Sequence, residues 1–278
     1  MIIDNSPSLA GVVGWPIAHS KSPLIHGHWL KQHQISGYYI PIGLRPENFE
    51  TAIRSMPKLG FKGVNVTIPY KETILPLATT ISDRAALIGA ANTIVFRSNG
   101  GIHADNTDGY GFIQNIRQFA PDWRGNTGPA LVLGAGGASR AVLSALLDEG
   151  VPEVRLTNRT RHRAEILKDQ FGARVTIVDW AKKNDACDGI ATLVNTTALG
   201  MEGQPPLTIR LDAAPQSCLV TDIVYTPLKT ELILQAESHG MRCVDGLGML
   251  LHQGVPGFER WFGQRPEVDR ATRAAALR

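Results

Sequence analysis

Apolar and polar positions follow one another in two different rhythms along this chain. In the first third, short apolar runs alternate with segments of helical period. Residues 11–14 (GVVG) predict a buried strand, and Ser22-Pro23 opens a helix to about Leu30, with proline at a tolerated first-turn position. Residues 38–44 predict a second strand, 46–56 a second helix and 63–68 a third strand. Residues 91–97 and 101–104 flank Ser98-Asn99-Gly100, a hairpin signal.

The second rhythm starts near Pro129. Residues 130–133 (ALVL) form a continuous apolar run, followed by glycines and a helical segment to Leu147. Apolar runs at 154–157, 175–178, 193–194 and 219–224 follow at helix-length separations. Repeated strand–helix–strand alternation predicts a doubly wound parallel sheet of Rossmann type. The join falls at a helix beginning near Asp108, with the chain crossing back near Asp245. No internal repeat or low-complexity linker interrupts either part.

Composition narrows the possibilities without choosing among them. At 278 residues the chain is long enough for two modest domains or one large one, and 43% hydrophobic with 19% charged residues is the make-up of an ordinary globular protein able to fill a core. The net charge is +3 and the basic residues are scattered, which argues against nucleic acid as a partner. Three dispersed cysteines, Cys187, Cys218 and Cys243, suggest a reducing compartment and no disulfide framework. The first residues lack a basic segment followed by an apolar one, and the most apolar stretch, 130–147, is broken by glycines and Arg140. No membrane span is expected, and the cytoplasm is the expected location.

Gly134-Ala135-Gly136-Gly137-Ala138-Ser139-Arg140 follows a strand and opens a helix. Glycines there let a backbone approach a diphosphate, whose charge is met by N–H groups at the helix N-terminus. A glycine turn between packed elements is the plainer reading, and the third fingerprint position is Ser139 instead of Gly or Ala. Beyond the next strand, where an NAD site carries Asp or Glu for the ribose hydroxyls, the chain reads Thr157-Asn158-Arg159-Thr160-Arg161-His162-Arg163. Guanidinium groups suit a 2′-phosphate, and a basic helix start opposes the helix dipole unless an anion binds. The pattern therefore points to NADP.

Four polar clusters punctuate the first part: residues 19–23 (HSKSP), 65–71 (NVTIPYK), 90–93 (AANT) and 105–109 (DNTDG). Taken singly, Ser22, Thr67 and Asp108 read as helix N-caps. Together the clusters supply hydroxyl, amide, ammonium and carboxylate groups suited to a polyhydroxylated acid. Lys71 follows Pro69-Tyr70, where a strand is expected to end and a helix to begin, so its ammonium is expected near a positive helix end.

The stretches GWPIAHSKSPLIH, NVTIPYK, GAANT, DNTDGYG, GAGGASRA, NRT with Arg163, DIVYTPLKT and DGLGMLLHQG closely resemble the shikimate dehydrogenase family, in its order and spacing across nearly the whole chain. Two departures stand out. His26-Gly27 replaces a His-Asn pair, and Asn195-Thr196-Thr197-Ala198 replaces an NATS-type segment.

The resemblance implies an NADP-dependent reduction of 3-dehydroshikimate to shikimate in aromatic amino acid biosynthesis. It implies an α/β substrate domain of residues 1–107, completed by C-terminal helices in 246–278, and a cleft separating it from a nucleotide domain of residues 108–245. Position by position it assigns Lys71 and Asp108 to catalysis. Ser20, Ser22, Asn65, Thr67, Asn92, Tyr225 and Gln253 would hold the substrate. Gly134, Ala135, Gly136, Gly137 and Ala138 would form the pyrophosphate loop, and Asn158, Arg159, Thr160 and Arg163 the 2′-phosphate pocket. Met201 and Gly248 would lie by the nicotinamide. The expected partners are small molecules, with a monomer or homodimer as the assembly.

Two other functions compete. A quinate/shikimate dehydrogenase using NAD needs a roomier pocket, and the absence of a carboxylate at Asn158 argues against NAD. A regulator that only senses NADP or a metabolite has no need of both Lys71 and Asp108. Metal binding by His19, His26, His28 and His33 is disfavoured, since His26 and His28 fall on different helix faces and no Cys or carboxylate completes the set.

Overall fold

The computed structural model describes residues 7–278. They divide into two compact units, one running up to Thr107 and resumed by Leu251–Arg278, the other Asp108–Leu250.

The first unit is built on a six-stranded mixed sheet. Its strands are β1 (Ser8–Gly14), β2 (Gly37–Gly43), β3 (Phe61–Val66), β4 (Thr80–Ile81), β5 (Thr93–Phe96) and β6 (Ile102–Asp105), in the order β2-β1-β3-β5-β6-β4. β1 pairs in parallel with β2 and β3, whereas β5 runs antiparallel to both β3 and β6. The β5–β6 hairpin turns where Ser98-Asn99-Gly100 predicts it. Gly100 takes φ +81° and the Asn99 side chain accepts the Gly101 N–H at 3.0 Å. Helices α1 (Ser22–Gln32), α2 (Phe49–Ser55) and α3 (Asp83–Ile88) connect the strands. The single helix expected over 46–56 is instead a 3₁₀ turn, the short α2 and a second 3₁₀ turn stopped by Gly60 at φ +87°. Pro46 and Pro57 bracket α2, and each removes a backbone donor.

No helix begins at Lys71. The chain makes isolated turns, Tyr70 N–H to Thr67 O at 2.8 Å and Ile74 N–H to Tyr70 O at 3.0 Å, before a 3₁₀ turn at Leu75–Leu77. Pro76 has no N–H to continue the ladder, so the helix cannot propagate and the helix field expected at Lys71 is absent. The unit's core gathers Val13, Ile53, Val64, Val66, Ile74, Ile94 and Ala104. Two indoles tie the C-terminal segment to it: Trp261 Nε1 donates to Ile94 O at 2.9 Å, and Trp29 Nε1 to Thr272 Oγ1 at 3.2 Å.

The second unit begins with α4 (Asp108–Phe119) and carries six parallel strands: β7 (Ala130–Leu133), β8 (Val154–Thr157), β9 (Val175–Val178), β10 (Thr192–Asn195), β11 (Leu219–Asp222) and β12 (Arg242–Val244). Their order, β12-β11-β10-β7-β8-β9, is that of the doubly wound dinucleotide-binding sheet, with its switch point between β7 and β10. Both faces are covered, which is why these strands read as unbroken apolar runs. Val132 and Val194 pack with Ile116, Val142 and Leu146 on one side, and Leu131, Leu133 and Leu193 with Val220 and Leu232 on the other. Helices α5 (Gly137–Asp148), α6 (Arg161–Phe171) and α7 (Glu231–Ser238) supply the layers, α8 (Leu247–Phe262) spans the boundary at Leu250, and α9 (Arg270–Ala276) closes the chain. No helix among the described residues is long and apolar enough to cross a membrane.

Candidate active site

In the first unit, the polar residues cluster at the ends of β3, β5 and β6 around Asn92. Its Oδ1 accepts the Thr107 N–H at 2.8 Å and its Nδ2 donates to Gln253 Oε1 at 3.0 Å. A backbone N–H can only donate, so it fixes which way the Asn92 amide faces. Gln253 must then accept. Asn65 is fixed likewise, because its Nδ2 donates to the Asn92 carbonyl at 3.0 Å and leaves Oδ1 to accept from the Tyr39 hydroxyl at 2.7 Å. The Ser22 side chain reaches that same hydroxyl. Asn65, Asn92, Gln253 and Ser22 therefore belong to one connected network. Ser20 joins through its Oγ, which accepts the Ser22 N–H at 3.4 Å.

Thr67 is half-buried just past β3, its N–H donating to Val13 O at 2.9 Å, and its methyl lies where a side chain on Gly14 would have to go. The Lys71 carbonyl accepts the Ala91 N–H at 2.7 Å, tying the lysine's backbone to the segment before Asn92. Asp105, next to these residues, is buried and structural. The Ser82 hydroxyl and the Asn106 N–H donate to it at 2.7 and 2.8 Å, and Arg84 and Arg260 hold it in ion pairs. These partners drive its carboxyl well below the ordinary carboxylate range in spite of burial. His26 is fully buried and stacked on the Tyr39 ring at 3.8 Å, and burial lowers its pKa to about 3. Among the described residues no group of three His, Cys, Asp or Glu side chains gathers to hold a metal ion.

In the second unit, Asp108 is the first residue of α4 and buried, and Tyr225 is half-buried in the loop after β11. At the switch point, Gly134, Ala135, Gly136, Asn158, Arg159 and Arg163 line one cavity of about 330 Å³. Gly134 sits at φ +106°, and a Cβ there would lie 2.8 Å from the Thr197 methyl and 2.9 Å from Thr196 Oγ1, so only glycine lets the turn close. Gly136 and Gly137 face open space, and no side chain caps the N-terminus of α5. The serine that departs from the fingerprint has a function in the turn: buried Ser139 donates to the Gly134 carbonyl at 2.6 Å. Asn158 Oδ1 accepts the Ala135 N–H at 3.1 Å and pins the loop to the end of β8.

Arg161 is committed to Glu165 at 2.9 Å and to Asp179. Arg159 and Arg163 have no carboxylate partner among the described residues, and α6 has no acidic residue in its first turn. Open glycines, uncapped helix N–H groups and two uncommitted guanidiniums are the donor set that a phosphorylated dinucleotide requires. The residues present fit NADP.

The remaining assigned residues do not line this cavity. Ala138 is the second residue of α5, and Thr160 stands at the N-cap of α6 with its carbonyl accepting Asn158 Nδ2 at 2.8 Å. Met201 is exposed in a turn, and Gly248 packs so closely on Asn115 of α4 that a Cβ would collide with the amide. Sequence reasoning passed over four lining residues, Trp180, Leu199, Gln204 and Pro205. Trp180 stands just past the end of β9, where such sheets present binding groups, while Gln204-Pro205 carries no such signal.

Fold and cavity together define a dinucleotide-binding α/β protein with a separate polar-lined unit. Family models match it in three parts: a shikimate dehydrogenase substrate binding domain over residues 12–94, shikimate / quinate 5-dehydrogenase over 118–198, and a shikimate 5′-dehydrogenase C-terminal domain over 246–276. The chain is 59% identical over 269 residues to shikimate dehydrogenase (NADP(+)) of Paracoccus denitrificans, covering 97% of this chain and 95% of that one. Shikimate 5-dehydrogenase of Thermus thermophilus, solved with NADP(H) and shikimate, superposes with a TM-score of 0.85 at 34% identity, covering 97% and 98% of the two chains. Quinate dehydrogenase of Corynebacterium glutamicum, solved with NAD, gives 0.91 at 30% identity, covering 98% and 99%. The chain belongs to the shikimate dehydrogenase family.

Proposed function

We propose that this protein reduces 3-dehydroshikimate to shikimate, reversibly, with Lys71 and Asp108 acting at the ring oxygen and NADPH as the partner. The observation that carries the reading is its identity with NADP-dependent shikimate dehydrogenases across nearly the whole chain. NADPH, when bound, supplies the hydride. Gly134, Ala135, Gly136, Gly137 and Ala138 hold its diphosphate, Asn158, Arg159, Thr160 and Arg163 its 2′-phosphate, and Met201 and Gly248 its nicotinamide end. The Lys71 ammonium stabilises negative charge as it develops on the ring oxygen and delivers a proton there, and Asp108 orients and exchanges that proton. Ser20 and Ser22 meet the substrate carboxylate with neutral hydroxyls, while Asn65, Thr67, Asn92, Tyr225 and Gln253 read the rest of the ring.

The protein works in the cytoplasm as a monomer or homodimer. Its free cysteines support a reducing location, and burial pushes the Cys187 and Cys218 thiols up to about 11 and 12. A quinate dehydrogenase using NAD is the second reading, favoured by the likeness to the Corynebacterium glutamicum enzyme. Shikimate and quinate assayed against NADP and NAD separate the two. Lys71→Ala tests the mechanism: kcat falls by a large factor while the KM for shikimate changes little, because the charge matters most in the transition state. A variant that keeps kcat and only weakens KM makes Lys71 a binding residue. Lys71→Arg rescues poorly, since a guanidinium does not readily give up a proton.

A further inference from the structure

Asp222, the last residue of β11, is 1% exposed and has no ion-pair partner among the described residues. Its carboxylate accepts from three neutral donors. Oδ1 takes the Val224 N–H at 2.9 Å and Asn195 Nδ2 at 3.0 Å, and Oδ2 takes the Thr230 hydroxyl at 2.8 Å. Burial raises its pKa, and these hydrogen bonds oppose the rise. A buried charge with no counter-charge is costly, so the site has to gain something an amide of the same shape cannot give.

What aspartate alone gives is acceptors on every side. Asn195, the last residue of β10, must turn Nδ2 toward Asp222 and toward the Leu199 carbonyl at 3.2 Å, since both can only accept. Its Oδ1 then faces Thr197, accepting that residue's N–H at 3.0 Å and hydroxyl at 2.7 Å. The Thr197 Oγ1 in turn accepts the Leu199 N–H at 3.1 Å. Thr196, Thr197, Ala198 and Leu199 form one wall of the switch-point cavity, and the Thr197 methyl and Thr196 hydroxyl close on Gly134. The chain of bonds therefore runs from a charge buried at the end of β11 to the wall of the cavity, with its polarity fixed at each step.

We propose that Asp222 is a positioning residue for dinucleotide binding, setting the Thr196–Leu199 wall through Asn195, an inference that rests on reading this cavity as the NADP site. A leucine at 222 keeps roughly the size but offers no acceptor to any of the three donors, so the Asn195 amide loses its fixed orientation and the wall loses its anchor.

The test is the Kd for NADPH, measured by nucleotide fluorescence on the full-length protein, set beside the unfolding midpoint. Asp222→Leu is expected to weaken NADPH at least tenfold. Thr230→Val cuts the Asp222 link toward α7 together with the cap of that helix, and is expected to lower the midpoint while leaving Kd within twofold. Should Asp222→Leu not fold, Thr197→Val removes the hydroxyl at the far end of the same chain and is expected to weaken NADPH about fivefold. In a folded Asp222→Leu protein, adding Thr197→Val is expected to cost little more, because the anchor is already lost. An Asp222→Leu protein that is less stable yet binds NADPH as the parent does overturns the proposal, as does an unchanged Kd in Thr197→Val. A parent protein that does not bind NADPH overturns the reading of the cavity itself.

Discussion

Asn92 donates its Nδ2 to Oε1 of Gln253 at 3.0 Å, joining residues 161 positions apart in sequence. The bond has a direction imposed by the backbone, since the Thr107 N–H occupies the Asn92 oxygen. Asn92→Ala leaves that buried N–H and the Gln253 oxygen without this partner. A buried group left unsatisfied costs about 1–3 kcal/mol. Urea unfolding of the variant is expected to show a lower midpoint, and its KM for shikimate a rise, since Gln253 is no longer held. A variant as stable as the parent refutes the role given to Asn92.

Arg159 lines the switch-point cavity with no carboxylate committed to it among the described residues. Arg159→Ala is expected to raise the KM for NADP about ten- to hundredfold, from about 1.5–3 kcal/mol of charge-assisted hydrogen bonding, and to leave NAD kinetics nearly unchanged. Equal loss with both nucleotides places Arg159 somewhere other than the 2′-phosphate.

Asp105→Asn breaks a buried carboxylate away from two arginines. The loss is expected to be about 3 kcal/mol, the low end for such pairs, because both arginines are partly exposed and screened. The sign with pH follows from a lowered folded-state pKa. Asp105 contributes its full stability above the unfolded carboxylate pKa, near 4, and loses it as pH falls further. The variant is expected to lack that part of the acid limb, as chemical unfolding at a series of acid pH values can read.

His26 acts in a higher window. Its pKa is about 3 when folded and 6.5 as a free side chain, so between these values the unfolded chain binds the extra proton. Stability is expected to fall as pH drops below about 6.5, down to about 3. His26→Phe keeps a ring against Tyr39 and is expected to flatten this limb. An unaltered slope from pH 6 to 4 assigns the acid sensitivity to other groups, with His252, lowered to about 4 by burial, as the next to test.

How far the sequence foretold the structure depended on how local the cause was. β7, β8 and β9 lie where their apolar runs predict them, and the β5–β6 turn follows from Gly100 needing a positive φ. β4 and β12 were not legible. Thr80-Ile81 is a strand only because β6 lies beside it, and Arg242-Cys243-Val244 only because of β11. The helix expected at Lys71 failed for a local reason that was available, Pro76 at the point where the ladder has to continue. At the candidate site, the glycine turn and Arg159 could be read from spacing and charge. The Asp222–Asn195–Thr197 chain could not, because Asp222 and Asn195 end different strands and meet only once the sheet is ordered.

The first unit is written in two pieces, with all of Asp108–Leu250 made between them. Its core therefore stays open during synthesis. Ile94 waits for the Trp261 indole and Trp29 for the Thr272 hydroxyl, whereas the six parallel strands of the second unit are complete once Val244 has emerged. A ribosome moving along this message releases a nucleotide-binding unit that can fold first, and a substrate-binding unit that must wait, with apolar surface uncovered, for its last helices.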